Sequence, residues 1–444
     1  MSPAGAEREV EPGEALRRRI EERAARLAVV GLGYAGLPLA VAFARAGFQV
    51  DGIDLDRARI EALGRGESYI PDVAGAVVGE LVRAGRLRAS AEYGPAAAAD
   101  CVLICVPTPL GKSREPDLCY VHAALEALGP HLRPGQLLVL ESTVYPGTTQ
   151  ELVVPALERQ GLRVGRDAFV AFSPERIDPG NRTWRIENTP KLIGGVSAAC
   201  TRVAAALYRA AIATVIEVSS AAVAEMAKLW ENTYRAVNIG FANEMALLCH
   251  RLGLDVWEVI EAAASKPFGF QPFWPGPGLG GHCLPVDPLY LSWKARTVRA
   301  QARFIELADE INRAMPLHCL QRIADLLNQD GKPVRNSRVL LLGMAYKKNV
   351  GDTRESPAVD LAALLLERGA EVRYADPYVP SCRIGEVELH AVALSADELR
   401  QADLVAVLAD HDAFEVELIL QHARRIFDAR NLTRGRGGPR VSRL

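Results

Sequence analysis

The sequence lacks several features that would assign it a class at once. Its eight cysteines, at 101, 105, 119, 200, 249, 283, 319 and 382, form no CxxC pair, and histidine is as scarce, so no zinc site is expected. With no disulfide framework, a reducing cytoplasm is the expected compartment. Most of these thiols read as small buried hydrophobes. There is no excess of either charge. A formal net charge of −2 provides no basic field to hold nucleic acid or an anionic membrane surface. No apolar run reaches membrane-spanning length. The first 26 residues are charged and carry no apolar core of a secretory signal. What is present is 49% apolar and 24% charged, an ordinary globular composition. The 444 residues are too many for one core and imply two or three domains.

Three segments differ in character after a polar tail over residues 1–26. From Leu27 to Val30, Phe48 to Ile53, Ala99 to Val106, Gln136 to Glu141 and Ala168 to Phe172, short apolar strands alternate with helical stretches. That alternation predicts a mostly parallel sheet covered on both faces. From Ala221 onward the pattern is helical, with one helix long enough to bridge two lobes, interrupted by the Pro/Gly loop at 267–281. A second strand–helix alternation begins at Arg338. The expected divisions are 1–26, 27–218, 219–330 and 331–444. The two α/β blocks echo each other without an obvious sequence repeat.

Gly31-Leu-Gly33-Tyr34-Ala-Gly36 is G-x-G-x-x-G between a strand and a helix. That context is the one a dinucleotide cradle requires: a tight turn, a close backbone approach to pyrophosphate, and close helix–strand packing. The helix N-terminus adds N–H groups and a positive dipole end. Asp54 ends the second strand, where a carboxylate can accept from a ribose diol and repel a 2′-phosphate, which favours NAD. Arg59 points the other way, since an arginine nearby can serve a phosphate, and FAD is the competing cofactor.

The stretch GLGGHCLPVDP, Gly278 to Pro288, places Cys283 and Asp287 in a glycine-rich loop. Beside an oxidising cofactor, a thiolate there can capture an aldehyde and pass through a thioester. Otherwise Cys283 is a small filler of a tight loop. Lys228 and Asn232 lie at i and i+4 on one helix face. Together they can hold an oxyanion or a water, or Lys228 is simply a surface lysine. VPTP (with Thr108), ESTVYPGTT and SPER each follow an apolar strand, where open α/β sheets bind ligands. Glu175 of SPER is a candidate general base, or a carboxylate at a helix start.

GLGYAGLP, VPTP, ESTVYPGTT, SPER, AKLWENTYRAVNIGFANE, GPGLGGHCLPVDP and GMAYKKNVGDTRESPA, in this order, resemble the UDP-glucose/GDP-mannose dehydrogenase family over essentially all of the chain after residue 27. The resemblance implies two Rossmann-like domains joined by a long helix, with an all-helical central dimerisation region. It implies NAD in the first domain, a UDP-sugar in the second, and a homodimer or larger homo-oligomer. It implies oxidation of a sugar C6 alcohol to a carboxylate with two NAD consumed. By motif position Cys283 is then the nucleophile, Lys228 and Asn232 the oxyanion donors, Asp287 the organiser of water and lysine, Glu175 the carboxylate for thioester hydrolysis, and Thr143 a neighbour of the nicotinamide. Tyr34, Thr108 and Arg354 join the cofactor-binding set. Gly280, Lys347 and Arg303 join the substrate-binding set, with Arg303 reaching a partner's substrate. Val286 stands where many UDP-glucose enzymes have lysine, and Pro179 where they often have a second glutamate. With His282 and the loop wording, this most resembles the UDP-N-acetylglucosamine 6-dehydrogenase branch. UDP-glucose, UDP-N-acetylgalactosamine and UDP-N-acetylmannosamine stay open as substrates, as does a sugar-nucleotide sensor without chemistry.

Overall fold

A computed structural model describes residues 11–178, 181 and 183–444. The chain divides into two compact units, the first ending at Trp230 and the second running Glu231–Leu444. The helical middle and the C-terminal α/β segment therefore share one unit.

The first unit holds an eight-stranded sheet: β1 (Arg26–Val30), β2 (Gln49–Ile53), β3 (Leu87–Ser90), β4 (Cys101–Ile104), β5 (Leu137–Leu140), β6 (Phe169–Phe172), β7 (Lys191–Gly195) and β8 (Val215–Glu217). Their order is β3-β2-β1-β4-β5-β6-β7-β8, and every pairing is parallel except β6 with β7. Strands such as CVLI, LLVL and FVAF are buried along their whole length. They are apolar throughout rather than alternating because helices cover both faces. In register, Val30 lies between Ile53 and Ile104. The order reverses at β1, which places a ligand crevice at its carboxyl end.

The polar tail expected over residues 1–26 is instead, from Pro12 on, folded structure. A helix spans Pro12–Glu21 with proline in its first turn, and Arg26 opens β1. Leu16 and Ile20, four apart and hence on one face, are buried against the helix Ala198–Arg209. Burying two such side chains contributes about 1.5–3 kcal/mol each. Arg19 adds an ion pair to the buried Asp100 at 2.6 Å.

In the second unit the long helix Ala221–Leu252, which begins in the first, ends at Gly253 with φ +68°. A separate helix, Val256–Ala264, then starts where the Asp255 carboxylate accepts the Trp257 N–H. Helices Asp287–Thr297 and Arg303–Gln329 follow. The second sheet contains β9 (Arg338–Leu342) and β10 (Glu371–Ala375); β11 (Ser381–Ile384) and β12 (Val387–His390) form a separate antiparallel hairpin; β13 (Leu404–Val407), β14 (Ile426–Asp428) and β15 (Val441–Arg443) complete the sheet. Its order is β10-β9-β13-β14-β15, all parallel.

The two α/β sheets repeat one local design. Gly31 after β1 and Gly343 after β9 have φ +89° and +91°. Gly31 N–H donates to Ile53 at the end of β2 (2.8 Å), and Gly343 N–H to Ala375 at the end of β10 (3.0 Å). A Cβ on either would collide with the chain leaving the strand on the other side, Cys105 O at 2.6 Å or Ala409 Cβ at 2.5 Å. Only glycine fits both the backbone angle and the gap.

Candidate active site

The first glycine turn sorts its three glycines by what surrounds them. A Cβ on Gly36 would lie 1.8 Å from the Gly31 carbonyl oxygen, so the helix starting there needs glycine for packing. A Cβ on Gly33 would meet only the Arg59 guanidinium, at 4.0 Å. The protein leaves that space open, which suits a pyrophosphate approaching the backbone at the helix N-terminus. Tyr34 is exposed within the turn, and Thr108, after β4, is half-buried.

Asp54 is buried and accepts from Leu32 N–H (2.7 Å), Asp56 N–H (2.9 Å) and Arg59 (3.2 Å). Arg59 also pairs with Asp56 at 3.3 Å and lies over the Tyr69 ring, whose hydroxyl donates to Leu32 O. Two carboxylates thus absorb the Arg59 charge. That removes the sequence-level argument for a 2′-phosphate and fits NAD.

Past the carboxyl ends of β5 and β6, at the amino end of the antiparallel β7, lies a buried polar group. Lys191 contacts Glu141 at 2.6 Å, both almost fully buried, and the Tyr208 hydroxyl donates to the other Glu141 oxygen. Burial alone would lower the Lys191 amine. The Glu141 carboxylate, with Glu175 beyond it, outweighs that and holds the amine above its ordinary value. Burial and the Glu141 charge push the Tyr208 phenol well up, so it stays a donor. Glu175, two residues past the buried Ser173, uses one oxygen to accept the Ile177 N–H. Its other oxygen is buried and has no hydrogen-bond partner among the described residues. Thr143 sits half-buried in the strand-end segment with Glu141. Pro179 lies outside the described residues.

Glu225 is fully buried and fastens the segment that follows Thr143. It accepts the Gly147 N–H (2.6 Å), the Thr149 N–H (2.8 Å) and the Thr149 hydroxyl (2.6 Å), at the start of a π-helical turn over Thr149–Val153. One turn further along the same helix, Lys228 is only 7% exposed. The surface-lysine reading therefore fails. A buried amine one turn from that anchoring carboxylate is a functional candidate.

In the second unit, Asn232 and Asp287 are buried and joined by a hydrogen bond from the Asn232 amide to the Asp287 carboxylate. Arg235 donates to the Asn232 oxygen at 2.8 Å, which fixes the amide's orientation. Asp287 opens a helix, and its N–H donates to Cys283 O at 2.8 Å. Five residues, Cys283 to Asp287, therefore form one turn that presents the two together. Cys283 is half-buried, whereas six of the eight cysteines are buried. Burial pushes the thiols of Cys101, Cys105 and Cys319 up, Cys319 to about 12, so those stay protonated and inert.

The glycines before Cys283 are packing requirements. A Cβ on Gly280 would lie 2.4 Å from Tyr346 Cβ, and one on Gly281 2.9 Å from the Tyr346 ring. Gly281 N–H donates to Arg354 O at 3.0 Å. Lys347, next to Tyr346, is half-buried. Arg354 is exposed and grips Asp352 through two nitrogens, the shorter contact 2.6 Å. Burial would raise the Asp352 pKa, but the Arg354 hydrogen bonds and charge hold it below the usual carboxylate range. Arg303 is exposed at the first turn of its helix.

Sequence spacing brought forward Asn232, Cys283 and Asp287, and the structure places the three on adjoining elements of one unit. It missed Glu225, Glu141, Lys191 and Tyr208. Their only trace was a glutamate at the end of an apolar strand.

A glycine cradle open at its second glycine, with a carboxylate at the next strand end, defines a dinucleotide-dependent oxidoreductase. A half-exposed thiol on a separate loop narrows the class. The chain matches the UDP-glucose/GDP-mannose dehydrogenase family in three parts: its NAD binding domain over residues 25–212, its central domain over 222–314 and its UDP binding domain over 340–435. It is 36% identical over 406 residues to the UDP-N-acetyl-D-mannosamine dehydrogenase of Escherichia coli K12, covering 88% of this chain and 95% of that one. It is 34% identical over 428 residues to the NDP-N-acetyl-D-galactosaminuronic acid dehydrogenase of Ralstonia solanacearum, covering 94% and 98%. Among solved structures, a UDP-D-ManNAc dehydrogenase from Pyrococcus horikoshii superposes with a TM-score of 0.87 at 33% identity, covering 94% and 99%. The chain belongs to the UDP-glucose/GDP-mannose dehydrogenase family and is an NAD-dependent nucleotide-sugar dehydrogenase.

Proposed function

We propose that this enzyme oxidises the C6 hydroxymethyl of a UDP-N-acetylhexosamine to the carboxylate, through a thiohemiacetal and a thioester on Cys283. The observation that carries the reading is the turn joining Cys283 to Asp287, with Asp287 held by Asn232. A simple alcohol dehydrogenase needs no such thiol. NAD, when bound, accepts a hydride at each of the two oxidations. The Cys283 sulfur adds to the aldehyde carbon, and the Lys228 amine and Asn232 amide donate to the oxygen that becomes negative. Water then attacks the thioester carbonyl. Glu175, whose second oxygen has no partner among the described residues, takes the water's proton, and the Cys283 thiolate leaves. The names of the relatives weigh toward UDP-N-acetylmannosamine over the UDP-N-acetylglucosamine suggested by the loop wording.

The enzyme also acts, in this reading, as a homodimer. Val223, Trp230, Tyr234, Phe241, Leu248 and Leu252 are exposed along the helix Ala221–Leu252. At about 100° per residue they fall within an arc of roughly 40°. A stripe at seven- and four-residue spacing is the pattern a second helix covers, and a second copy supplies that helix by symmetry. Arg303, exposed beside the 78%-exposed Phe304, would then serve the partner's substrate. The cytoplasm suits a chain with no CxxC pair and six buried cysteines. Among the described residues no helix is long and apolar enough to cross a membrane.

The test is NADH counted per sugar with each of UDP-N-acetylmannosamine, UDP-N-acetylglucosamine, UDP-N-acetylgalactosamine and UDP-glucose limiting. About two NADH from one acetamido sugar supports the reading, because one hydride leaves before covalent capture and one after. One NADH per sugar would sink the Cys283 route. Two from UDP-glucose alone would keep the route and overturn the substrate class.

A further inference from the structure

The carboxylate that follows the second strand meets more donors in the second sheet than in the first. Asp54, in the first, is buried and accepts three hydrogen bonds, one of them from the partly exposed Arg59. Asp376, at the matching place after β10, has no exposed side-chain surface. One of its oxygens accepts from Met344 N–H (2.7 Å), Ala345 N–H (3.0 Å) and His411 Nε2 (3.2 Å). The other accepts from Tyr378 N–H (2.8 Å) and Val379 N–H (3.2 Å). A carboxylate offers about four lone-pair directions, so five donors saturate it. Asp376 has no capacity left for a ligand's ribose. It is a hub that ties the segments following β9, β10 and β13 together.

His411 is the polar link from that hub to the surface. It is wholly buried, with the Tyr378 ring 5.1 Å and the Phe414 ring 5.3 Å away. Its Nδ1 faces the Asn349 N–H at 2.9 Å and must accept, so its proton sits on Nε2 and is donated to Asp376. Asn349 has φ +59°, a left-handed conformation that asparagine adopts more readily than most non-glycine residues. Its side chain exchanges two hydrogen bonds with Asp412, which also pairs with Lys348 at 2.6 Å. Three residues upstream, Tyr346 fills the space left by Gly280 and Gly281, just before Cys283. One buried imidazole therefore sets the segment that carries Lys347 and that abuts the cysteine loop.

We propose that His411 is a positioning residue for the sugar nucleotide: by accepting the Asn349 N–H, its Nδ1 holds residues 346–351, and with them Lys347, in the conformation that takes the UDP moiety. This rests on the functional reading above. Two substitutions separate its two bonds. His411→Gln can keep a donor toward Asp376 but offers Asn349 no acceptor. His411→Asn keeps an acceptor near the Nδ1 position and gives up Asp376.

The experiment measures the Kd of UDP and of NAD by calorimetry, together with KM and kcat, for the full-length enzyme and both variants. His411→Gln should weaken UDP and raise the sugar-nucleotide KM about tenfold or more, with NAD affinity held within about twofold, the scale of one lost charge-assisted or buried contact. His411→Asn should recover most of that loss. Equal loss in both variants, unchanged UDP affinity in His411→Gln, or a parallel loss of NAD would overturn the proposal. Hydrogen exchange on the unsubstituted enzyme checks the same point without relying on a variant that folds: residues 346–351 should be protected already without UDP, and fast exchange there would overturn it too. If the unsubstituted enzyme binds no UDP at all, the functional reading itself falls.

Discussion

Gly33 and Gly36 differ by three residues and should fail in different ways when each is replaced by alanine. At Gly36 the new methyl would sit 1.8 Å from the Gly31 carbonyl oxygen and 3.1 Å from Cys105 Cβ. The oxygen is backbone and cannot rotate away, so strand and helix must part. Overpacking of this kind costs about 1–3 kcal/mol, more when backbone must move. For a unit of this size that is a fall of about 2–4 °C in Tm per kcal/mol. At Gly33 the methyl meets nothing nearer than 4.0 Å, and φ there is not positive. Alanine at a compatible backbone position is neutral or stabilising by about 0.4–1 kcal/mol. The same methyl, however, occupies the approach of the pyrophosphate. Losing one hydrogen bond to a charged oxygen costs about 1.5–3 kcal/mol, or roughly 10- to 150-fold in NAD affinity. The assay is a thermal melt with and without NAD, plus a calorimetric NAD Kd. Gly33→Ala should melt like the unsubstituted enzyme and lose the NAD-induced shift. A Gly33→Ala protein that binds NAD normally would refute the cradle, and a Gly36→Ala protein of full stability would refute the packing argument.

The buried pair Lys191 and Glu141 gives a second expectation. Lys191→Met leaves an uncompensated carboxylate and should cost about 3–5 kcal/mol in urea unfolding, while the double variant with Glu141→Gln should regain most of it; a double variant no more stable than Lys191→Met would contradict the pairing. Burial opposes ionisation of Asp376, but His411 and backbone N–H groups outweigh it and hold its pKa below the ordinary value. Its unfolded pKa is about 3.9, so its contribution is complete above that and lost as pH falls through the depressed native value. The stability gap between Asp376→Asn and the unsubstituted enzyme should therefore shrink between about pH 5 and pH 2, and a constant gap would refute it. If a second copy covers the helix stripe as proposed, Phe241→Glu and Leu248→Glu should lower the mass seen in light scattering with little change in the fold, since both side chains are exposed in the single chain; an unchanged mass would refute the proposed dimer seam.

Which of these residues a sequence can reveal follows from how far away their reasons lie. The strands RLAVV and CVLI were visible because burial on both faces forces every side chain to be apolar. β8 and β15, three residues each and only partly covered, carry no such run and exist through their neighbours. Gly31 and Gly36 were readable because each answers to a clash within a few residues or one strand away. Cys283 and Asp287 were readable because one turn joins them. Lys228 stood one turn from Asn232, yet nothing in the spacing could tell a buried amine from an exposed one. Glu225, Lys191 and His411 were invisible for a further reason. Glu225 meets Thr149 across 76 residues, Lys191 meets Glu141 across 50, and His411 meets Asn349 across 62. Each holds in place a segment or a charge that neighbours a candidate reactive or ligand-binding group, so the chemistry it serves belongs to another position's motif. A residue whose task is to fix another's backbone leaves no spacing of its own, and only a fold that closes those long loops can show what it does.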